Sequence, residues 1–204
     1  MRLYFVRHGE SEANLTRTFA NWTTGHPLTE TGKAQAQALA ERLRGEGVTH
    51  LYSSPVLRAR QTSEIISGRL GHAVQVTHSL REFDVGRFEG TNDPEGWREY
   101  EDVVKAWDRG NVRRRVDHGE SLDDVRLRFV PFISELVARS QPEDRAVLVS
   151  HGGIYRAMLP LILSNVTVRF ATDNVLENTG CVVAEVLDGD LACTEWCGRR
   201  GPFA

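Results

Sequence analysis

The sequence predicts an α/β fold, a three-layer α/β/α sandwich with a mostly parallel central sheet and an antiparallel C-terminal hairpin at its edge. Three observations predict it. Short apolar runs alternate with longer helix-like segments, the order of a sheet covered on both faces. Asp188-Gly189 separates two strand-like runs near the end, a hairpin signature. The chain has 204 residues, of which 40% are hydrophobic and 26% charged, enough to bury a core without staples. Disorder is excluded by that apolar content.

The elements follow in order. Residues 3–6 are a short apolar run followed by a polar, Gly-containing turn. Residues 31–44 are rich in Ala, Leu, Gln and Glu and predict a helix stopped by Gly45 and Gly47. Residues 48–53 are strand-like. Ser54 and Pro55 supply an N-cap and a first-turn proline for a helix reaching Leu70, with Val56, Ala59, Ile66 and Leu70 on its covered face. Residues 73–77 form another short strand. Residues 84–118 are polar, charged and irregular, with one helix between Asp93 and Arg109. They are expected to form a substrate cap inserted within a single domain spanning 1–204.

Ser121 caps a long helix with a stripe of Val125, Phe129, Phe132 and Leu136, and Pro131 is expected to kink it. Residues 146–149 predict a buried strand, and Gly152-Gly153 leads into a helix over 154–163. Residues 181–187 and 191–196 are the hairpin strands.

A net charge of -3, from 25 basic and 28 acidic residues, argues against a nucleic-acid binder working by bulk electrostatics. The longest apolar run, residues 157–163, is far short of the ~18 residues of a membrane span. Residues 1–6 are too short for a signal peptide, so a cytoplasmic location is expected. Cys181, Cys193 and Cys197 fit reduced thiols better than a disulfide framework. Cys193 and Cys197 lack the further ligands a metal would need, so no metal and no cofactor are expected.

In open α/β sheets ligands bind outside the carboxyl ends of the strands. Three strands here end in reactive sequence: Arg7-His8-Gly9-Glu10-Ser11, then Ser53-Ser54-Pro55 with Arg58 a turn later, then Ser150-His151-Gly152-Gly153. Parallel neighbours would bring two arginines and two histidines to one crevice. Arginine's planar fork matches phosphate oxygens, and backbone N–H groups at Gly9 and Gly152 would add donors. Binding alone does not need two histidines. A neutral histidine beside such charges is a nucleophile toward phosphorus, and a carboxyl group must then protonate the departing oxygen. Glu82 is the candidate for that acid, with Asp84, Glu89 and Glu120 as chemically equivalent rivals. Asn14 would contact phosphate or shape its own turn. Arg113-Arg114-Arg115 is a solvated face or a steering patch for anions. His26, His50, His72, His78 and His118 are assigned to the surface.

The sequence resembles the histidine phosphatase superfamily, the phosphoglycerate mutase-like family, over about residues 1–196. The resemblance rests on Val6-Arg7-His8-Gly9-Glu10-Ser11 with Asn14, on Pro27-Leu28-Thr29-Glu30-Thr31-Gly32, and on residues 53–62. It continues through Leu80-Arg81-Glu82-Phe83-Asp84-Val85-Gly86, Glu89-Gly90, Gly119-Glu120-Ser121 and Ser150-His151-Gly152-Gly153. It implies a phosphohistidine on His8, phosphoryl oxygens held by Arg7, Arg58 and His151, Glu82 as acid and base, and Asn14 touching the phosphate. It implies no metal.

The segment around Glu82 and the Gly-Glu-Ser triplet look like the phosphatase branch. Phe19-Ala20-Asn21-Trp22 departs from that branch's Phe-x-Gly pattern, which puts contacts from residues 21–25 in question. The resulting expectation is a phosphomonoesterase acting on a small phosphorylated metabolite, with no nucleic-acid or membrane partner. A mutase and a non-catalytic phosphate-binding scaffold are the alternatives.

Overall fold

The computed structural model describes residues 1–22 and 25–203. Six strands form one sheet in the order β3-β2-β4-β1-β5-β6. They are β1 (Arg2–Arg7), β2 (His50–Ser53), β3 (Val74–Val76), β4 (Arg145–Ser150), β5 (Cys181–Leu187) and β6 (Asp190–Trp196). The first four run parallel, while β5 and β6 add on antiparallel beside β1. Asp188 and Gly189 join β5 to β6 with φ of 53° and 95°, as a two-residue type I′ turn requires.

Alternation along each strand sends side chains to opposite faces. Leu3 and Phe5 join Leu148, Phe129, Ile154 and Met158 under helices α5 (Leu122–Arg139) and α6 (Gly152–Ile162). Tyr4 and Val6 join Leu51, Val147, Leu39, Leu43 and Ile66 under α2 (Glu30–Leu43) and α3 (Leu57–Leu70). Two cores on one sheet are the three layers the alternation predicts.

Register positions the site. Arg7 lies opposite Ser150, and Ser53 lies opposite Val149, so β1, β4 and β2 are adjacent and end at one level. The segment after β3 runs through a 3-10 turn, His78–Leu80, toward the same rim. From there residues 84–118 contain a second 3-10 turn (Gly86–Phe88) and helix α4 (Pro94–Asp108), whose N-cap Asp93 accepts from the Glu95 and Gly96 N–H groups. No described helix is long and apolar enough to cross a membrane. The three cysteines are free, and only Cys197 is exposed.

Several local expectations need correction. Helix α3 starts at Leu57 with Val56 as N-cap, not at Pro55. The Ser54 hydroxyl accepts from Val56 N–H, closing a turn that delays the helix by two residues. The buried stripe of α5 uses Ile133, with Phe132 only partly buried, and the helix continues through Pro131. Two short helices, α1 (Glu12–Thr16) and α7 (Val168–Asp173), were not foreseen.

Candidate active site

His8 leaves β1 with its backbone fixed from both sides. Its N–H donates to the Ser150 carbonyl at 3.0 Å, and its own carbonyl accepts from Thr179 N–H and the Asn178 side chain. The ring follows from that. Nδ1 lies 2.7 Å from the Gly9 carbonyl, which can only accept, so Nδ1 carries the proton. The Nε2 lone pair therefore faces inward, 2.9 Å from Nε of Arg58.

Arg58, on the first turn of α3, spreads its fork over three acceptors. Besides His8, it donates to the Ala20 carbonyl and, at 3.2 Å, to Nδ1 of His151. His151 then carries its proton on Nε2 and donates it to the Ser54 hydroxyl at 2.8 Å. The two imidazoles meet edge to face with centroids 5.2 Å apart. Arg7 donates to the Leu176 carbonyl at 2.6 Å, while its buried Nε has no hydrogen-bond partner.

Electrostatics reinforce this arrangement. Burial, followed by the charges on Arg58 and Arg7, holds His8 well below the usual imidazole value. His151 is held down by burial and by Arg58 in the same way. Burial lowers Arg58 itself to about 10, still fully charged at neutral pH. Two neutral rings therefore sit among two permanent cations.

Glu82 completes the rim. Its carboxylate oxygens accept from Phe83 N–H at 3.1 Å and Gly153 N–H at 3.0 Å. Burial raises its pKa, opposed by those two hydrogen bonds and by the charge on Arg58. A Cβ at Gly153 would lie 2.9 Å from both oxygens, so close approach of α6 depends on that glycine. The rival acids are engaged elsewhere. Glu120 pairs with Arg128 and Arg81, Glu89 accepts from the Asn21 and Trp22 N–H groups, and Asp84 accepts from Gly86 N–H.

A cavity of about 270 Å³ opens over these groups. Arg7, His8, Asn14, Arg58, Glu82 and Gly152, all expected from the sequence, line it together with Gly153. His151 does not line it and sits fully buried against Arg58. Asn14 shapes its own turn, Oδ1 accepting from Ser11 N–H and Oγ–H at 3.0 Å, and the residue borders the cavity. Gly9 is a correction, because its N–H donates to Thr62 Oγ1 at 3.1 Å and is not free for an anion.

The outer wall was not legible. Phe19 and Trp97 stack at 4.0 Å between centroids, and Tyr100 packs edge-on against both. Trp97 Nε1–H pins the Arg17 carbonyl at 2.7 Å. Trp107, by contrast, is core, packed edge-on against Phe83. In the 21–25 segment, Asn21 lines the cavity and donates to the Phe83 carbonyl, and Trp22 lies under the Arg81 guanidinium at 3.4 Å. Thr23 and Thr24 lie outside the described residues. Ser54, Thr62 and Asn178 support the site without having been singled out for it. Ser54 had a signal, its place at the end of β2.

Known proteins share this architecture. The sequence is 36% identical over 159 residues to a probable phosphoglycerate mutase GpmB of Photorhabdus laumondii, covering 74% of this chain and 70% of that protein. The corresponding Enterobacter protein is 33% identical over 170 residues, covering 80% and 75%. Mycobacterial glucosyl-3-phosphoglycerate phosphatase, solved in complex with VO3, superposes with a TM-score of 0.83 at 27% identity, over 97% of this chain and 99% of that one. The alpha-ribazole phosphatase of Shigella flexneri has the same fold, with a TM-score of 0.78 at 21% identity over 96% of each chain. The model of the histidine phosphatase superfamily (branch 1) matches residues 3–198, and the chain belongs to that superfamily.

Proposed function

We propose that this chain is a phosphomonoesterase that hydrolyses a small phosphorylated metabolite through a covalent phosphohistidine on His8. One observation carries the reading: His8, with an unprotonated Nε2 that accepts from Arg58, lines a cavity that Arg7, Arg58 and Glu82 also line. The phosphate dianion takes the donors of Arg7 and Arg58, with the Asn14 amide at its edge, and Arg58 Nε exchanges His8 for a phosphoryl oxygen; His151, whose Nε2–H goes to Ser54 and whose Nδ1 accepts from Arg58, orients that guanidinium from behind. Nε2 then forms the bond to phosphorus as the ester oxygen departs with a proton from Glu82. The two guanidiniums stabilise the charge that gathers on the equatorial oxygens, a task metal ions perform elsewhere. Glu82, now ionised, takes a proton from water as that water attacks the phosphohistidine, which releases phosphate and restores both groups. Glu82's raised pKa suits this double duty.

The test is turnover of a chromogenic phosphate ester in excess chelator, with acid quenching to trap the phosphoenzyme. Wild type should turn over and yield an acid-labile phosphohistidine, and His8→Ala should do neither. Full activity in His8→Ala, or phosphate binding with no phosphoenzyme, rejects the mechanism. A mutase reading has one observation in its favour, the 36% identity to a protein described as a phosphoglycerate mutase. It requires the phosphoenzyme to pass its phosphate to a second hydroxyl faster than to water. Isomerisation of phosphoglycerate in the presence of a bisphosphate primer, measured beside phosphate release, separates the two.

A further inference from the structure

Glu82 has no strand or helix to hold it. It sits in an irregular loop after His78–Leu80, yet an acid that must reach a departing oxygen needs its position fixed. The loop is gripped from outside the cavity by two side chains, Arg128 and Glu120. Arg128, near the middle of α5, donates through Nη1 to the carbonyls of Ser79 at 3.0 Å and Arg81 at 2.8 Å, with His78 at 3.4 Å. Its Nη2 donates to the carbonyl of Glu82 itself at 3.2 Å.

Glu120 holds Arg128 in that posture. The pair is bidentate, Nε to Oε1 and Nη2 to Oε2, both at 2.9 Å. Glu120 also grips the loop directly: Oε2 accepts from Asp84 N–H at 2.9 Å, and Glu120 N–H donates to the Asp84 carbonyl at 2.9 Å. Oε1 pairs in addition with Arg81 at 3.1 Å. Both side chains are largely buried, 18% and 16% exposed, so neither end of the pair is a solvated surface contact. Residues 79, 81, 82 and 84 of the loop are thereby tied, and neither Arg128 nor Glu120 lines the cavity.

We propose that Arg128 and Glu120 are positioning residues for Glu82, holding the loop so that its carboxyl reaches the leaving oxygen. The proposal rests on Glu82 being the acid and base. Arginine is needed because one planar fork must serve four carbonyls and a carboxylate at once, which a lysine ammonium cannot do.

The discriminating experiment measures phosphoenzyme formation in single turnovers with two esters. A simple alkyl phosphate needs a proton on its leaving oxygen, and 2,4-dinitrophenyl phosphate does not. Glu82→Gln should lose roughly 10²–10⁴-fold on the alkyl ester and little on the activated one. Arg128→Met and Glu120→Gln should each lose roughly tenfold to a hundredfold on the alkyl ester only. Arg128→Lys should fall between, and inhibition by inorganic phosphate should not change. Arg128→Met added to Glu82→Gln should cost nothing further on the alkyl ester, because the two act through one group.

Equal losses on both esters, or additive losses in the double variant, overturn the proposal. If Arg128→Met does not fold, Glu120→Gln and Arg128→Lys carry the same test. Failure of Glu82→Gln itself to discriminate between the esters removes the acid–base assignment and the proposal together. Discrimination by Glu82→Gln without it in the Arg128 and Glu120 variants removes the proposal alone.

Discussion

The floor of the cavity and its outer wall are built by different physics. The floor is buried polar chemistry at strand ends: His8 and His151 are 2% and 0% exposed, and Arg58 is 5% exposed. Each ring nitrogen and each end of the Arg58 fork has a specified partner, and the two histidines directly follow strands locked in sheet register. The wall is aromatic. Phe19 meets Trp97 and Tyr100 of α4 by stacking and edge contacts, and that helix also carries ion pairs such as Glu99 with Arg87 and Lys105 with Glu101. A buried polar network fails when one member is lost, whereas aromatic packing tolerates re-sorting. The floor is suited to a fixed chemical step, and the wall to a choice among substrates.

The strongest way to break that contrast is Arg58→Lys. Charge is kept, but one ammonium replaces a fork that reaches His8, Ala20 and His151 in three directions. We expect kcat/KM to fall roughly 10²–10³-fold, the cost of losing a preorganised donor at a developing oxyanion. Affinity for vanadate or phosphate should fall with it. Steady-state kinetics with product inhibition would check this, and a loss below about threefold would mean that charge alone suffices.

A smaller effect is expected at the wall. Trp97→Ala removes the ring stacked on Phe19 and the donor that pins Arg17. Across a panel of phosphorylated metabolites, KM values should reorder by roughly tenfold, the scale of one lost pocket contact. The rate constant for phosphoenzyme formation from a small chromogenic ester should change little. A uniform fall in that constant for every ester would place Trp97 in the chemistry and erase the division between floor and wall.

The same division explains what the sequence disclosed. Strands β1, β2 and β4 were legible from apolar runs, and their ends from the polar residues that follow, so His8, Arg58 and His151 could be placed before any coordinates. Glu82 was not separable from Asp84, Glu89 and Glu120 by spacing, because a loop has no period. Only three-dimensional partners show that Glu120 belongs to Arg128 and Glu89 to the Asn21–Trp22 turn. Helices α1 and α7, of 5 and 6 residues, are too short to display a helical stripe. The start of α3 was misplaced because Ser54 fits an N-cap by type, while its hydroxyl instead serves His151 and Val56. Gly9 was assigned a free N–H because nothing local announces Thr62, 53 residues away in sequence.

The mildest expected effect separates floor from wall by proton linkage. In the unfolded chain His8 and His151 take protons near pH 6.5, whereas burial and the arginines keep both neutral in the folded protein. Below that pH the unfolded state binds more protons, so stability falls as pH falls, by roughly 1–2 kcal/mol per pH unit for each imidazole. Glu82 acts with the opposite sign. Its folded pKa is raised, so it takes a proton earlier than the unfolded chain does, and the folded state gains as pH falls toward 4.5. Urea melts between pH 7 and pH 5 should therefore show a shallower loss of stability in His151→Gln than in wild type. Glu82→Gln should show a steeper loss, and Trp97→Ala an unchanged slope. A slope that His151→Gln leaves intact would mean the ring takes up its proton in the folded state as readily as in the unfolded chain. It would then donate through both nitrogens, and the hydrogen bond it accepts from Arg58 would have to be redrawn.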